Sequence, residues 1–365
     1  MHRFLLFTFF SLLIISGCST DQLDDTEALE ENNENSPLYF PPIDSDTWET
    51  STIEELGWNK ESEQLLYDFL ETNSTDAFIL LKDGKIVLEK YFGDFTASRS
   101  HSWNSAAKTL TSMTIGIAQN EGLLSLDDSS ALYLGNGWSS MTTEQENNIT
   151  IRHHLTMTTG MDYNVDNNFC TDKECFLYKN EPGTYWYYHQ GAYTKLDDII
   201  TAAVGQSYID YFNNRIGDKI GMEGIWTKVG YNNLYFSNAR SMARFGLLNL
   251  NEGVWNNTVI IEDKDYFNAA TNTSQDLNES YGYLYWLNGK DSYKLPSTEE
   301  QFQGKLIPNA PDDLYAGLGA FDQKLYIVPS KNLVIVRFGD AADTSSLAFS
   351  SFDNDLWEAL NKVIN

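Results

Sequence analysis

WNSAAKTLTSMTIGIAQNEG, residues 103–122, is the stretch whose reading decides the rest of this chain. Ala106, Ala107, Leu110, Met113, Ile117 and Ala118 give it the apolar spacing of a helix, with Asn104 as a cap at its start and Gly122 as a stop. On such a helix Ser105 and Lys108 are three residues apart and share a face, where hydroxyl and amine can meet. A serine in a first turn faces unpaired N–H groups and the positive end of the helix dipole, which favour negative charge on its oxygen. A neighbouring amine held neutral can take its proton. Ser-x-x-Lys also arises by chance in a serine-rich chain, so a plain core helix with a surface lysine stays open at this point.

Composition narrows the class. The 365 residues suffice for one large or two moderate domains, and 42% apolar with 14% aromatic residues fits a packed globule. A formal net charge of −28 leaves no basic stripe to replace counterions on phosphate, which argues against a nucleic-acid partner. There is no GxSxG elbow, HExxH, CxxC or P-loop. His153 and His154 are adjacent and point apart on a helix, so a joint metal site is not expected, and neither is a cofactor.

Working outward to the N-terminus, Arg3 precedes an apolar run, Phe4 to Ile15, that is too short to span a bilayer and reads as an export signal. It ends in Ile15-Ser16-Gly17-Cys18, which resembles the lipobox of bacterial lipoprotein signals. The resemblance implies a signal over residues 1–17, a lipidated Cys18, a lipid anchor in the membrane and a cell-envelope location, periplasmic or surface-exposed. From Ser19 to Asn59 there is no lysine or arginine, and residues 18–52 read as an acidic flexible tether ahead of a domain over 53–365. Cys170 and Cys175 are the remaining cysteines and, in an oxidising compartment, are expected to pair.

Residues 77–81 and 85–91 flank Lys82-Asp83-Gly84 and predict a hairpin. Residues 149–159, 193–204, 207–216 and 238–250 predict helices; 281–287, 324–328 and 333–338 predict strands, with a terminal helix around Trp357, Leu360 and Val363. The order sheet, helices, sheet, helix predicts an α+β fold. One antiparallel sheet is drawn from both chain ends, with a mostly helical lobe of about 125–275 inserted and a cleft between.

NSAAKTLTSMTIGIAQNEGLLSLDD, ITIRHHLTMTTGM, EPGTYWYYHQGAYTKLDDII, NARSMARFGLLNLNEGVW, SYGYLYW and AGLGAFDQKLYIVPSKNLVIVRFGD together resemble the serine β-lactamase-like hydrolases. That group includes penicillin-binding proteins, class C β-lactamases, family VIII esterases and 6-aminohexanoate-dimer hydrolases. The resemblance, over about residues 75–340, implies a β-lactamase/transpeptidase-like fold and an acyl-enzyme on Ser105. Lys108 and Tyr188 move the proton, and the backbone N–H groups of Ser105 and Gln323 form the oxyanion hole.

Two positions depart from the pattern. Gln190 stands where the second motif usually has Asn, and Ala320-Phe321-Asp322 stands where the third usually has a basic residue. With Asp322 facing the cleft, a small ester or amide, neutral or amino-bearing, is favoured over a β-lactam or a D-alanyl-D-alanine peptide. Trp186 and Tyr187 are expected as pocket walls beside Gln190 and Asp322; Trp103, Tyr163, Tyr283 and Trp286 are expected mainly in the core. A catalytically inactive envelope binding module of the same fold is the alternative from another class.

Overall fold

The computed structural model describes residues 38–342 and 349–364; the signal, Cys18 and the first part of the tether lie outside them. The chain ends do form one sheet. Strands β1 (Thr75–Lys82), β2 (Lys85–Tyr91), β6 (Trp286–Leu287), β7 (Tyr315–Gly319), β8 (Gln323–Val328) and β9 (Leu333–Gly339) lie in the order β2-β1-β9-β8-β7-β6, and every pairing is antiparallel. Burial explains the order. QKLYIV and LVIVRFG are buried at every position, as central strands covered on both faces must be, whereas KIVLEKY alternates and forms the edge.

Helices cover both faces. On one, α1 (Glu63–Thr72) packs on the terminal helix α5 (Ser351–Ile364), Phe69 stacks on Phe352 at 5.6 Å, and Trp357 meets Tyr326 edge-on at 5.9 Å. On the other, α4 (Ala239–Leu250) lies so close that a Cβ on Gly246 would stand 2.4 Å from Val334 Cγ1. Under α5 the sheet buries three charges: Lys324 Nζ lies 2.7 Å from Asp353 Oδ2 and 3.0 Å from Asp322 Oδ1, and the Tyr326 hydroxyl donates to Asp353 Oδ1 at 2.5 Å.

The structure corrects the tether. Residues 38–52 are packed chain: Trp48 is buried and its indole N–H donates to Gly84 O (2.8 Å), Ser51 N donates to Ile86 O (2.9 Å), and Arg244 donates to the carbonyls of Pro42 and Ser45. Tyr39 N donates to Asp83 O in the β1–β2 turn, where a Cβ on Gly84 would lie 1.9 Å from Tyr39 O. Glycine at φ +80° is therefore required there by close approach as well as by turn geometry.

Between the chain-end strands, α2 (Lys108–Asn120) is buried almost throughout and α3 (Gln190–Val204) crosses it. This region is not wholly helical. Strands β3 (His101–Ser102), β4 (Gly224–Val229) and β5 (Asn232–Ser237) form a separate antiparallel sheet in the order β3-β5-β4. The β4–β5 hairpin goes unpredicted because few of its residues are buried; Trp226 and Tyr235 anchor it. Cys170 and Cys175 are joined by a disulfide, their Cα atoms 6.0 Å apart, in a loop whose Asn168 carbonyl accepts from Gly191 N at the start of α3.

Candidate active site

Ser105 does not open a regular α-helix. Residues Asn104–Ala107 form a 3-10 turn that runs into α2, and Asn104 has φ +48°. Asn104 therefore does not cap the helix through its side chain. Its Nδ2 donates to Ala320 O (2.8 Å) and its Oδ1 accepts from Ser102 Oγ (2.8 Å), and these anchors hold a backbone conformation that is uncommon outside glycine. The result is a serine presented on a tight turn fixed from both sides.

Lys108 lies one turn on and is buried. Its Nζ donates to Gln190 Oε1 at 2.9 Å and lies 3.1 Å from Ser105 Oγ. Gln190, the first residue of α3, thus reaches the amine with its longer side chain. Tyr188 flanks the pair, the amine standing 5.1 Å from the centre of its ring. Burial, only partly opposed by the Asp197 carboxylate, pushes the Lys108 ammonium down to about 7 from its usual 10.5. Burial pushes the Tyr188 phenol well above its usual value against the opposing effect of Ser105. Near neutrality the amine can thus be an acceptor while the phenol keeps its proton.

Residues 185–188 are extended and alternate. Trp186 and Tyr188 turn inward, while Tyr185 and Tyr187 turn toward Tyr163, whose ring stacks on Tyr187 at 3.5 Å. Trp186 is consequently not a pocket wall. It is wholly buried, edge-on to Tyr281 at 5.5 Å and Trp286 at 6.2 Å. Tyr187 is half-buried and remains at the surface of the site. Trp103 is wholly buried, with its indole N–H on Ser237 Oγ, and Tyr283 and Trp286 are buried too.

The third-motif segment also differs from expectation. Asp322 does not face the cleft: its carboxylate is buried and accepts from Ser350 Oγ (2.8 Å) and Ala342 N (3.0 Å) beside Lys324. Burial opposes its charge, but Lys324 and these donors outweigh that and hold the carboxyl below its usual value. Gln323 starts β8 and turns its side chain inward, Nε2 donating to Phe321 O and Gly339 O. The side chain this turn exposes is Phe321, at 48%. Backbone approaches the Ser105 turn at Gly319–Ala320, through the Asn104 bond and where a Cβ on Gly319 would stand 2.3 Å from Trp103 O. Gly319→Ala is therefore expected to separate β7 from the Ser105 turn and lower turnover by about 10²-fold, since a 1 Å misplacement suffices for that; ester hydrolysis beside a thermal melt checks it.

The Beta-lactamase family model matches residues 70–348. The chain belongs to the beta-lactamase family. A provisionally named 6-aminohexanoate-dimer hydrolase from Bacillus anthracis is similar at 21% identity and TM-score 0.65, covering 90% of this chain and 91% of that one. A provisionally named beta-lactamase from Bacteroides dorei DSM 17855 aligns at 15% identity and TM-score 0.66, covering 84% and 99%. The octameric penicillin-binding protein homologue from Pyrococcus abyssi aligns at 17% and 0.59, covering 82% and 76%. At such identities the likeness to these structures establishes the fold. No curated protein matches. The acid Asp197 was missed in the sequence, and Asn104 was read there as a helix cap. Asp197 had a signal, an acid one turn beyond Tyr193 on the helix that begins with Gln190.

Proposed function

We propose that this member of the beta-lactamase family is a serine hydrolase that forms an acyl-enzyme on Ser105 from a small ester or amide. The observation that carries the reading is the Lys108 amine, buried, 3.1 Å from Ser105 Oγ and held by Gln190. As Ser105 Oγ bonds to the substrate carbonyl carbon, its proton passes to Lys108 Nζ, and the N–H groups of Ser105 and Ala320 receive the oxyanion. Ala320 takes the place first given to Gln323, because it is Ala320 that adjoins the serine turn. The leaving oxygen or nitrogen departs with a proton from the Lys108–Tyr188 pair, and water then cleaves the acyl-enzyme, restoring Ser105.

The absence of a basic residue from Ala320 to Gln323 supports neutral or amino-bearing substrates. The names of the penicillin-binding relatives support a second reading, a β-lactamase or D-alanyl-D-alanine peptidase. Short esters, linear amides, D-alanyl dipeptides and a chromogenic cephalosporin, each run with wild type and Ser105→Ala, separate the two. Serine-dependent turnover of the first two groups supports our reading; turnover confined to the cephalosporin or the dipeptides overturns it.

The pH profile is a further expected outcome. With neutral Lys108 as the acceptor and its value pushed down to about 7, kcat/KM should rise as pH increases through about 7 and then level. A profile that falls over that range contradicts the assignment of the base.

The lipobox-like sequence supports lipid attachment at Cys18 after removal of residues 1–17, and with it a place in the bacterial cell envelope. Among the described residues no helix is long and apolar enough to cross a membrane.

A further inference from the structure

Asp197 is a half-buried acid that the reaction outlined above does not use. It lies on α3 seven residues after Gln190 and four after Tyr193, so the three form one stripe of that helix. The first two already address Lys108: Gln190 Oε1 accepts from its amine at 2.9 Å, and the Tyr193 ring centre lies 4.1 Å from Nζ. Behind Tyr193, whose hydroxyl is bonded to Thr111 Oγ1 at 3.1 Å, comes the Asp197 carboxylate. Asn233 Nδ2 donates to its Oδ2 at 3.1 Å from the β4–β5 hairpin, while Oδ1 is buried with no hydrogen-bond partner.

We infer that Asp197 is the counter-ion of Lys108, a positioning residue that stabilises the ammonium created when the amine takes the proton of Ser105. The inference rests on the serine-hydrolase reading. In that step the Ser105 O–H bond breaks, an N–H bond forms on Lys108, and the new positive charge appears on a buried amine. A half-buried carboxylate on the same stripe as two groups that touch the amine is worth more to that charge than one at the open surface.

Asp197 is the charged group acting on Lys108, and it holds the ammonium up against the larger effect of burial. Asp197 in turn is pushed up to about 7 by burial, against Asn233, Lys228 and Lys108, with Asp198 adding to the rise. The Tyr193 and Tyr208 phenols share its field. Burial thus acts against the charge of amine and acid alike, and each charge opposes that effect on the other. Asp197 also lines a surface cleft of about 270 Å³, together with Thr194, Ser207, Lys228, Tyr231 and Asn233.

The test is the pH profile of p-nitrophenyl butyrate hydrolysis by Asp197→Asn, beside wild type and Ser105→Ala. Asparagine keeps the shape, so the fold should hold, as a thermal melt will show. Loss of the negative charge lowers the Lys108 value, so the acid limb should move down by about one pH unit, the size of an opposite-charge effect. The plateau should fall several-fold because the ammonium is no longer compensated, and Asp197→Glu should restore the limb. Asn233→Leu, which removes the donor to the carboxylate and raises its value, should move the limb the same way by less. An unshifted limb in folded Asp197→Asn and Asn233→Leu overturns this inference while leaving the serine assignment intact. Hydrolysis retained by Ser105→Ala would instead remove the reading on which it rests.

Discussion

Ser105→Ala is expected to lower kcat/KM for a short p-nitrophenyl ester by about 10³-fold or more, the scale on which removing an activated nucleophile acts. The reason is local. The hydroxyl is the one group at the site that meets the buried amine at 3.1 Å and stands on the 3-10 turn at once. Lys108→Met should cost nearly as much, and the double variant little more than either single one, because the two residues perform a single proton transfer and bond formation. Rates that multiply independently in the double variant would show two separate roles. The melting temperature should barely move in Ser105→Ala, which separates this loss from unfolding.

The largest effect on stability is expected at Lys324→Met, far from the reaction. Its amine lies 2.7 Å from Asp353 and 3.0 Å from Asp322, all three side chains inaccessible to solvent. Removing the cation leaves two carboxylates buried without it, and breaking a buried ionic cluster in this way costs about 3–5 kcal/mol. In a domain of this size that lowers Tm by on the order of 10 °C. Asp322 has its folded value held below the ordinary carboxylate range. Its contribution is therefore present above that range and lost as pH falls through the folded value, so wild type should soften in acid. A thermal melt of Lys324→Met at neutral pH that matches wild type would contradict the role of the cluster.

Much of this was legible because burial and chemistry leave periodic marks. The runs AFILL of β1, LYIV of β8 and LVIV of β9 are apolar at consecutive positions, as strands covered on both faces require, and they predicted a sheet from both chain ends. Ser105 and Lys108 were legible from spacing, and Tyr188 from its resemblance to a motif. Trp186 was misread because a run of four aromatics hides an extended chain whose alternate side chains face opposite ways. Residues 38–52 were misread because composition averages over the segment, whereas three aromatic side chains, Tyr39, Phe40 and Trp48, are enough to seat it on the core.

Asp322 and Asp197 were not legible for a different reason. Whether an acid faces a cleft or a buried partner is decided by residues distant in the chain: Ser350 and Ala342 for one, Lys108 and Asn233 for the other. Asn104 likewise looks like a cap in sequence, and only the approach of Ala320 shows that its side chain is used elsewhere.

Exposure of the intact protein to a fluorophosphonate, followed by mass analysis of the whole chain and of its peptides, tests most directly whether Ser105, Lys108 and Tyr188 act as one centre. One adduct, mapped to Ser105, absent from Ser105→Ala and greatly slowed in Lys108→Met, is the predicted result. A chain left unlabelled, or labelled at another hydroxyl while ester hydrolysis proceeds, would contradict it.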